Sequence, residues 1–596
     1  MRHIYNLTAS VCREKLFRPR PTLRFASEME RCRQCAGELE VRKTRLLTLI
    51  TLEMGTVRVR ETVLHCRRCE LDYGSDELRK LKPLGSRFGY DVLVYVGKTM
   101  FLRCRGAKEI REELQARQVR ISESEILYLA RKFVVYLSLA HRQKQGKIKQ
   151  LLDRRGGYVL HLDATCEGDS PHLMSGMDGI TEIVLENVKL ASEKAQRIVP
   201  MLRRITARYG DPRALVHDMG KGICAAAALV FPHTPDFICH YHFLADLGTD
   251  LFGKENETIR KRLSEHGVQG KLRKRLRELN GTVEENPPLV ESLVSSLEEQ
   301  RRGDDVPALM SAMVCYTLLQ WALAAKKEGR GYGFPFDRPY LLFYKRLQTL
   351  RPALERLNRA TLGRQKKRNG TYSKVLRDLR ETMDDATLRK AAKEMEEKAA
   401  VFDKLRHAMR IALPAGRHGL NDRGSNERIS TIEGRVTHFR RWLCDDRTLS
   451  KQQGYQNMIA QLDKYWDKLF CDPIVIDTPN GTVVVQPQRT NNIIEQFFRS
   501  LKRIFRKKSG ANSLARTMKT MIADTPLIKN LTNPEYLNII LDGRASLEES
   551  FAAIDIQLVR KELRDLQCTT GRMPSKIRKL MKAPDLPETL VALFAG

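Results

Sequence analysis

Tyr158-Val159-Leu160-His161-Leu162-Asp163-Ala164-Thr165 is an apolar run that ends on an acid, the pattern of a buried strand that delivers a carboxylate near its C-terminal end. Arg213-Ala214-Leu215-Val216-His217-Asp218 repeats the device, after which Gly220-Lys221-Gly222 breaks the chain and Ile223 to Val230 reads as a helix. Two further strands are expected between them, at His172 to Met177 and Glu182 to Glu186. Carboxylates at the ends of adjacent strands repel one another and lose hydration, a cost of several kcal/mol unless a cation neutralises them. Asp and Glu oxygens with few histidines suit Mg²⁺ or Mn²⁺ better than zinc.

A third acid lies far along the chain. The string TNNIIEQFFRSLKRIFRKK, Thr490 to Lys508, read as a helix, puts Arg499, Lys502 and Arg506 on the face of Glu495. Ile494, Phe498, Leu501 and Phe505 form an apolar face that would bury. A lone acid among cations is ordinarily a salt-bridged surface residue. The alternative is that Glu495 holds a metal ion beside a phosphate backbone that the cations hold. Just upstream, Cys471 to Pro487 alternates about Asn480-Gly481, a hairpin signal.

The chain has 596 residues, more than one ordinary core accommodates, and Lys and Arg outnumber Asp and Glu by 33. That excess predicts a polyanionic partner, with nucleic acid first. No long apolar run suggests a membrane span, and Met1 to Asn6 carries no secretory signal, so an intracellular protein is expected. Its 13 cysteines are too dispersed for a disulfide scaffold. Cys32-Arg33-Gln34-Cys35 and Cys66-Arg67-Arg68-Cys69 instead have the spacing of two turns whose thiolates meet at one ion, and the alternation from Arg45 to His65 around Glu53-Met54-Gly55 reads as a hairpin between them. A zinc ribbon is the expectation. From Gly89 to Arg142 three short helices with a tight connection at Arg117 to Arg120 resemble a helix-turn-helix, the third opening on a capping box at Ser122 and Glu125. Arg142 to Arg155 reads as a linker.

Asp163 in HLDAT, Asp218 in VHDMGKG, Cys239-His240-Tyr241-His242, and Asn492-Ile493-Ile494-Glu495 resemble, in order, the D, D, C-x2-H and N-x2-E motifs of DDE transposases. The nearest likeness is to bacterial insertion-sequence transposases related to Mutator-like elements. The resemblance implies a multidomain α/β protein: an RNase H-like mixed-sheet core interrupted by a large all-α insertion and preceded by a zinc ribbon and a helical DNA-binding domain. The boundaries expected are 1–85 for the ribbon region, 86–150 for the helix-turn-helix and linker, 151–250 and 471–525 for the core, 251–470 for the insertion and 526–596 for a helical tail.

By that likeness Asp163, Asp218 and Glu495 are the catalytic acids and hold two Mg²⁺ (or Mn²⁺) ions, with Cys239, His242 and Asn492 accessory. Arg499, Lys502, Arg503, Arg506, Lys507 and Lys508 would contact DNA, as would Arg111 and Arg120, while Cys32, Cys35, Cys66 and Cys69 hold zinc. The activity implied is cleavage and strand transfer at the terminal repeats of a mobile element by a homodimer or larger assembly on double-stranded DNA, in a bacterial cytoplasm at the nucleoid. A transposase-derived DNA-binding protein without activity and an RNase H-like hydrolytic nuclease are the competing readings. Should Glu495 prove a surface acid, Asp477 or Asp524 becomes the candidate third carboxylate. The insertion carries basic clusters at Arg260-Lys261-Arg262, Lys271 to Arg277 and Lys366-Lys367-Arg368, and all of Trp321, Trp442 and Trp466; core packing is the first expectation for each Trp, and stacking on an unpaired base the second.

Overall fold

The computed structural model describes residues 22–298, 308–362, 370–413, 428–470, 472–478, 481–569 and 575–593. Met1 to Asn6, Lys366-Lys367-Arg368, Gly416 to Asn426 (which the sequence reads as a loop within the insertion), Cys471 and Asn480 lie outside them. The protein is a mixed α/β structure of two compact units: one holds the residues up to Asp236, Ile474–Pro487 and those from Asn491 on, the other Phe237–Pro473 and Gln488–Thr490. No helix among the described residues is long and apolar enough to cross a membrane.

The first unit opens with a small sheet. Strand β3 (Gly55–Cys66) pairs antiparallel with β2 (Glu40–Thr51) and β4 (Leu71–Tyr73) and parallel with β1 (Thr22–Ala26). Alternation places Leu49, Val57 and Val59 on one face, where they bury with Leu78 of the Asp76–Leu81 helix. Four fully buried apolar residues are a thin core for such a sheet.

Helices Tyr90–Phe101, Ala107–Ala116 and Glu123–Gln143 follow, and Ser122 caps the third by accepting from the Glu125 N–H at 3.2 Å. The third is 21 residues long rather than short, and it is buried along most of its length because Ile126, Leu129, Phe133, Val134, Tyr136, Leu137 and Ala140 are apolar on several faces. It crosses the first so closely that a Cβ at Gly97 would lie 2.1 Å from the Phe133 ring. The expected linker is mostly a helix, Gln145–Arg154, because Ile148, Leu151 and Leu152 make a buried stripe. The expected tail is likewise a structural part of the unit. Leu527, Ile528, Leu531, Tyr536, Ile540, Leu547 and Phe551 join the same core, with the Phe551 ring stacked on Tyr136 at 5.2 Å.

A second sheet completes that core, with strand order β7-β6-β5-β8-β9 for β5 (Val159–Thr165), β6 (His172–Asp178), β7 (Val184–Leu190), β8 (Ala214–His217) and β9 (Asp236–Ile238). Strands β5, β6 and β7 are antiparallel neighbours, and β8 lies parallel to β5 after the Ala195–Tyr209 crossover helix. Strand β7 starts later than expected because Asp178 accepts from the Ile180 and Thr181 N–H groups and Glu182 takes φ +56°, so these residues form the turn. Its Glu186 carboxylate pairs with Arg204 and Arg208 of the crossover helix. Strands β10 (Ile474–Thr478) and β11 (Gly481–Val485) form the expected hairpin.

The described elements of the second unit from His240 onward are helices, the first His240–Glu265 and the last Gln453–Leu469. Phe252, Phe343, Leu347, Phe402 and Leu462 are buried there without exposure.

Candidate functional site

Because β5 and β8 run parallel with Leu162 opposite His217, Asp163 and Asp218 come one position later on neighbouring strands. Open sheets bind ligands beyond the carboxyl ends of parallel strands. Both acids are half-buried, Asp163 accepting from the Ala164 N–H at 2.7 Å and Asp218 from the Gly220 N–H at 3.3 Å. The fully buried His217 ring spans Asp218 O and Asp236 Oδ1, at 2.5 Å each, and so braces the end of β8.

Glu495 lies in the first turn of the Asn492–Ser509 helix. The helix forms because Ile494, Phe497, Phe498 and Phe505 share one side, and all four bury in the core that holds β5. Its start is tied to β5. The buried Asn491 donates from Nδ2 to Leu162 O at 2.8 Å and pairs through Oδ1 with His161 Nδ1 at 3.0 Å, while its own carbonyl accepts from the Glu495 N–H at 3.2 Å. The three acids thus stand on elements joined at Leu162. Their oxygens are not gathered to within 4.8 Å of one another as a set.

Several of the expected DNA contacts are otherwise engaged. Lys502 Nζ donates to Cys166 O at 3.2 Å, and Arg506 pairs with Glu167 at 2.8 Å, while Glu167 also accepts from the Leu514 N–H. These two cations brace the loop that follows Asp163 instead of standing clear for phosphate. Lys508 folds inward over the rings of Phe101 and Phe505, at 4.7 and 4.9 Å, and burial pulls its amine down to about 8. Arg111 is paired with Glu123 at 2.7 Å. Arg499, Arg503, Lys507 and Arg120 remain exposed.

Asn492 is the first residue of the helix and half-buried, so the adjacent Asn491 makes the contacts to β5. That role was missed; the Thr490-Asn491-Asn492 run of helix-starting residues was its signal. In the second unit Cys239 is buried just before the His240–Glu265 helix and His242 is half-buried in its first turn. His240 between them is structural, donating its N–H to Arg489 O and pairing through Nε2 with Leu469 O; burial lowers its ring to about 3. Asp524, the fallback acid, is buried in the core, where it accepts from Ser138 Oγ at 2.5 Å and desolvation raises its carboxyl. The side chain of Asp477 lies outside the described residues.

The sulfurs of Cys32, Cys35, Cys66 and Cys69 lie within 4.8 Å of one another and could hold a structural metal such as zinc. Each pair closes a turn whose next residue is left-handed, Ala36 at φ 53° and Glu70 at φ 52°. The Tyr73 hydroxyl, 3.1 Å from Cys32 Sγ, holds that thiol down to about 6, while Cys35 and burial push Cys69 up to about 12. Four such neighbours cannot all ionise without a cation among them.

Trp466 donates to Glu433 at 3.0 Å, Trp321 is 39% exposed beneath Arg346, and Trp442 lines a cavity with Lys404 Nζ 3.7 Å from its ring centroid. None of the three is a fully buried core residue. No family model matches the chain, and no curated protein matches it.

Proposed function

We propose that this chain is a DDE transposase of the bacterial insertion-sequence type related to Mutator-like elements. On this reading the β5–β9 sheet is an RNase H-like core, the β1–β4 sheet with its four cysteines is a zinc ribbon, and the second unit is the insertion. The observation that carries it is the junction at Leu162: Asp163 and Asp218 follow the facing pair of two parallel strands, and the Glu495 helix starts from an asparagine bonded to the same carbonyl.

The donor set fits hard divalent ions, being three half-buried carboxylates on elements that converge. Asp163, Asp218 and Glu495 would hold Mg²⁺ or Mn²⁺, which when bound supplies Lewis acidity to the attacking and leaving oxygens of a phosphodiester. The protein positions the rest. Exposed Arg499, Arg503 and Lys507 bind the backbone of double-stranded DNA, and Lys502 and Arg506 keep the loop after Asp163 in place. The zinc ribbon and the helix-turn-helix-like segment select the element's terminal repeats. Joining two ends asks for a dimer or larger assembly, acting at the nucleoid.

The test is strand transfer with Mg²⁺ on DNA carrying the sequences that flank the gene. Asp163→Asn, Asp218→Asn and Glu495→Gln each abolish it while leaving binding to the ends in place. Undiminished strand transfer in either Asp variant sinks the reading. A wild-type chain that cuts the ends and never joins them identifies a hydrolytic nuclease.

A further inference from the structure

The buried amide of Asn491 touches both elements that carry the acids without being an acid itself. Leu162 O can only accept, so the amide must turn Nδ2 toward it, and Oδ1 is left to accept from His161 Nδ1–H. That assignment fixes the imidazole as the Nδ1–H tautomer. The ring is caged: Gly179 lies so close that a Cβ there would approach His161 Nε2 to 2.7 Å. One side chain therefore ties the carbonyl preceding Asp163 to the residue whose own carbonyl starts the turn bearing Glu495.

We propose that Asn491 is a positioning residue that fixes the Glu495 helix against Asp163 for divalent-ion binding, with His161 holding its amide in the required orientation. The inference rests on the proposed metal-binding role of the three acids. A helix start held only by apolar packing can slide or rotate by fractions of an ångström, which hard divalent ions tolerate poorly in their ligands. Two hydrogen bonds to strand β5, made out of reach of water, remove that freedom.

The experiment is Mn²⁺ binding to the full zinc-loaded chain, followed by electron paramagnetic resonance, with hydrogen exchange of the peptide around Glu495 as a second reading. Asn491→Ala weakens Mn²⁺ binding about 10- to 100-fold, the usual loss when a residue that orients metal ligands is removed. Asn491→Asp, which keeps the shape and turns an oxygen against Leu162 O, does the same and speeds exchange at the helix start. His161→Ala weakens binding, whereas His161→Asn, whose amide can supply the lost N–H, restores most of it. The Asn491 variants keep wild-type zinc content and thermal midpoint within a few degrees. Wild-type Mn²⁺ affinity in folded Asn491→Asp, beside lost affinity in Asp163→Asn, overturns the inference and leaves the proposed function standing. Undiminished Mn²⁺ binding in Asp163→Asn overturns both.

Discussion

The cysteine cluster and the acidic junction at Leu162 are both sets of potential metal ligands, yet they are built in opposite ways. The sulfurs come from two short turns joined by one hairpin, each turn closed by a left-handed residue, and they converge to within 4.8 Å without help from the rest of the chain. The carboxylates come from two strands and a helix far apart in sequence, and those elements are joined by a shared core and by Asn491. A local site brings its ligands together by turn geometry alone; a composite site needs a scaffold, and its precision is only as good as the bonds that tie its parts.

On the proposed zinc-ribbon reading, the largest effect should come from removing metal from the local site. Structural zinc in such small units is worth about 10–16 kcal/mol of apparent binding, and the core of the β1–β4 sheet is small, with Leu49, Val57, Val59 and Leu78 buried and Leu23, Phe25 and Leu47 partly buried against them. Chelation, or Cys35→Ser, is expected to abolish hydrogen-exchange protection across β2 and β3 while the β5–β8 strands keep theirs. Equal loss in both sheets would show that the two regions fold as one.

Next comes the scaffold of the composite site. Phe551→Ala removes a ring stacked on Tyr136 and edge-on to Phe133, and should cost about 3–5 kcal/mol in denaturant unfolding of the first unit. The mutation lies outside the second unit's residues, so protection of the helices there should be unchanged.

A smaller effect follows acid. His141 is fully buried between the Tyr536 and Tyr209 hydroxyls and Leu185 O, and burial lowers its ring from 6.5 to about 4. The unfolded chain therefore takes up a proton before the folded one as pH falls. Its contribution is intact above about pH 6.5 and is lost progressively toward pH 4, about 3 kcal/mol in all. His141→Gln, with no proton to gain in that window, flattens this part of the stability profile. The smallest effect belongs to the surface: on the proposed DNA-binding role, Arg503→Gln should lower the slope of log affinity for DNA against log salt by about one, equally for all sequences.

Much of the local structure was legible. The strands at β5, β6 and β8, the hairpin at Gly55 and the amphipathic helix of Glu495 follow from periodicity within each segment. What escaped was non-local. The Gln145–Arg154 helix reads as a linker because charge obscures its three buried residues, and nothing near Leu527 or Phe551 announces that they complete a core begun at Tyr90. The cations of the Glu495 helix look alike in sequence, yet Lys502, Arg506 and Lys508 find partners in the loop after β5 or among aromatic rings. Asn491 and Asn492 are likewise equivalent by composition, and only the position of Leu162 O distinguishes them.

Phe551, packed on Phe133 and Tyr136, also sets an order of events during synthesis. A ribosome adding about 5–20 residues per second makes the early helices tens of seconds before it reaches their last packing partner. Nascent or prematurely terminated chains therefore lack the finished support for Asp163 and Asp218. On the proposed function, a gene product cut short by a frameshift or a stop codon is disarmed by its own architecture before it can engage a chromosome.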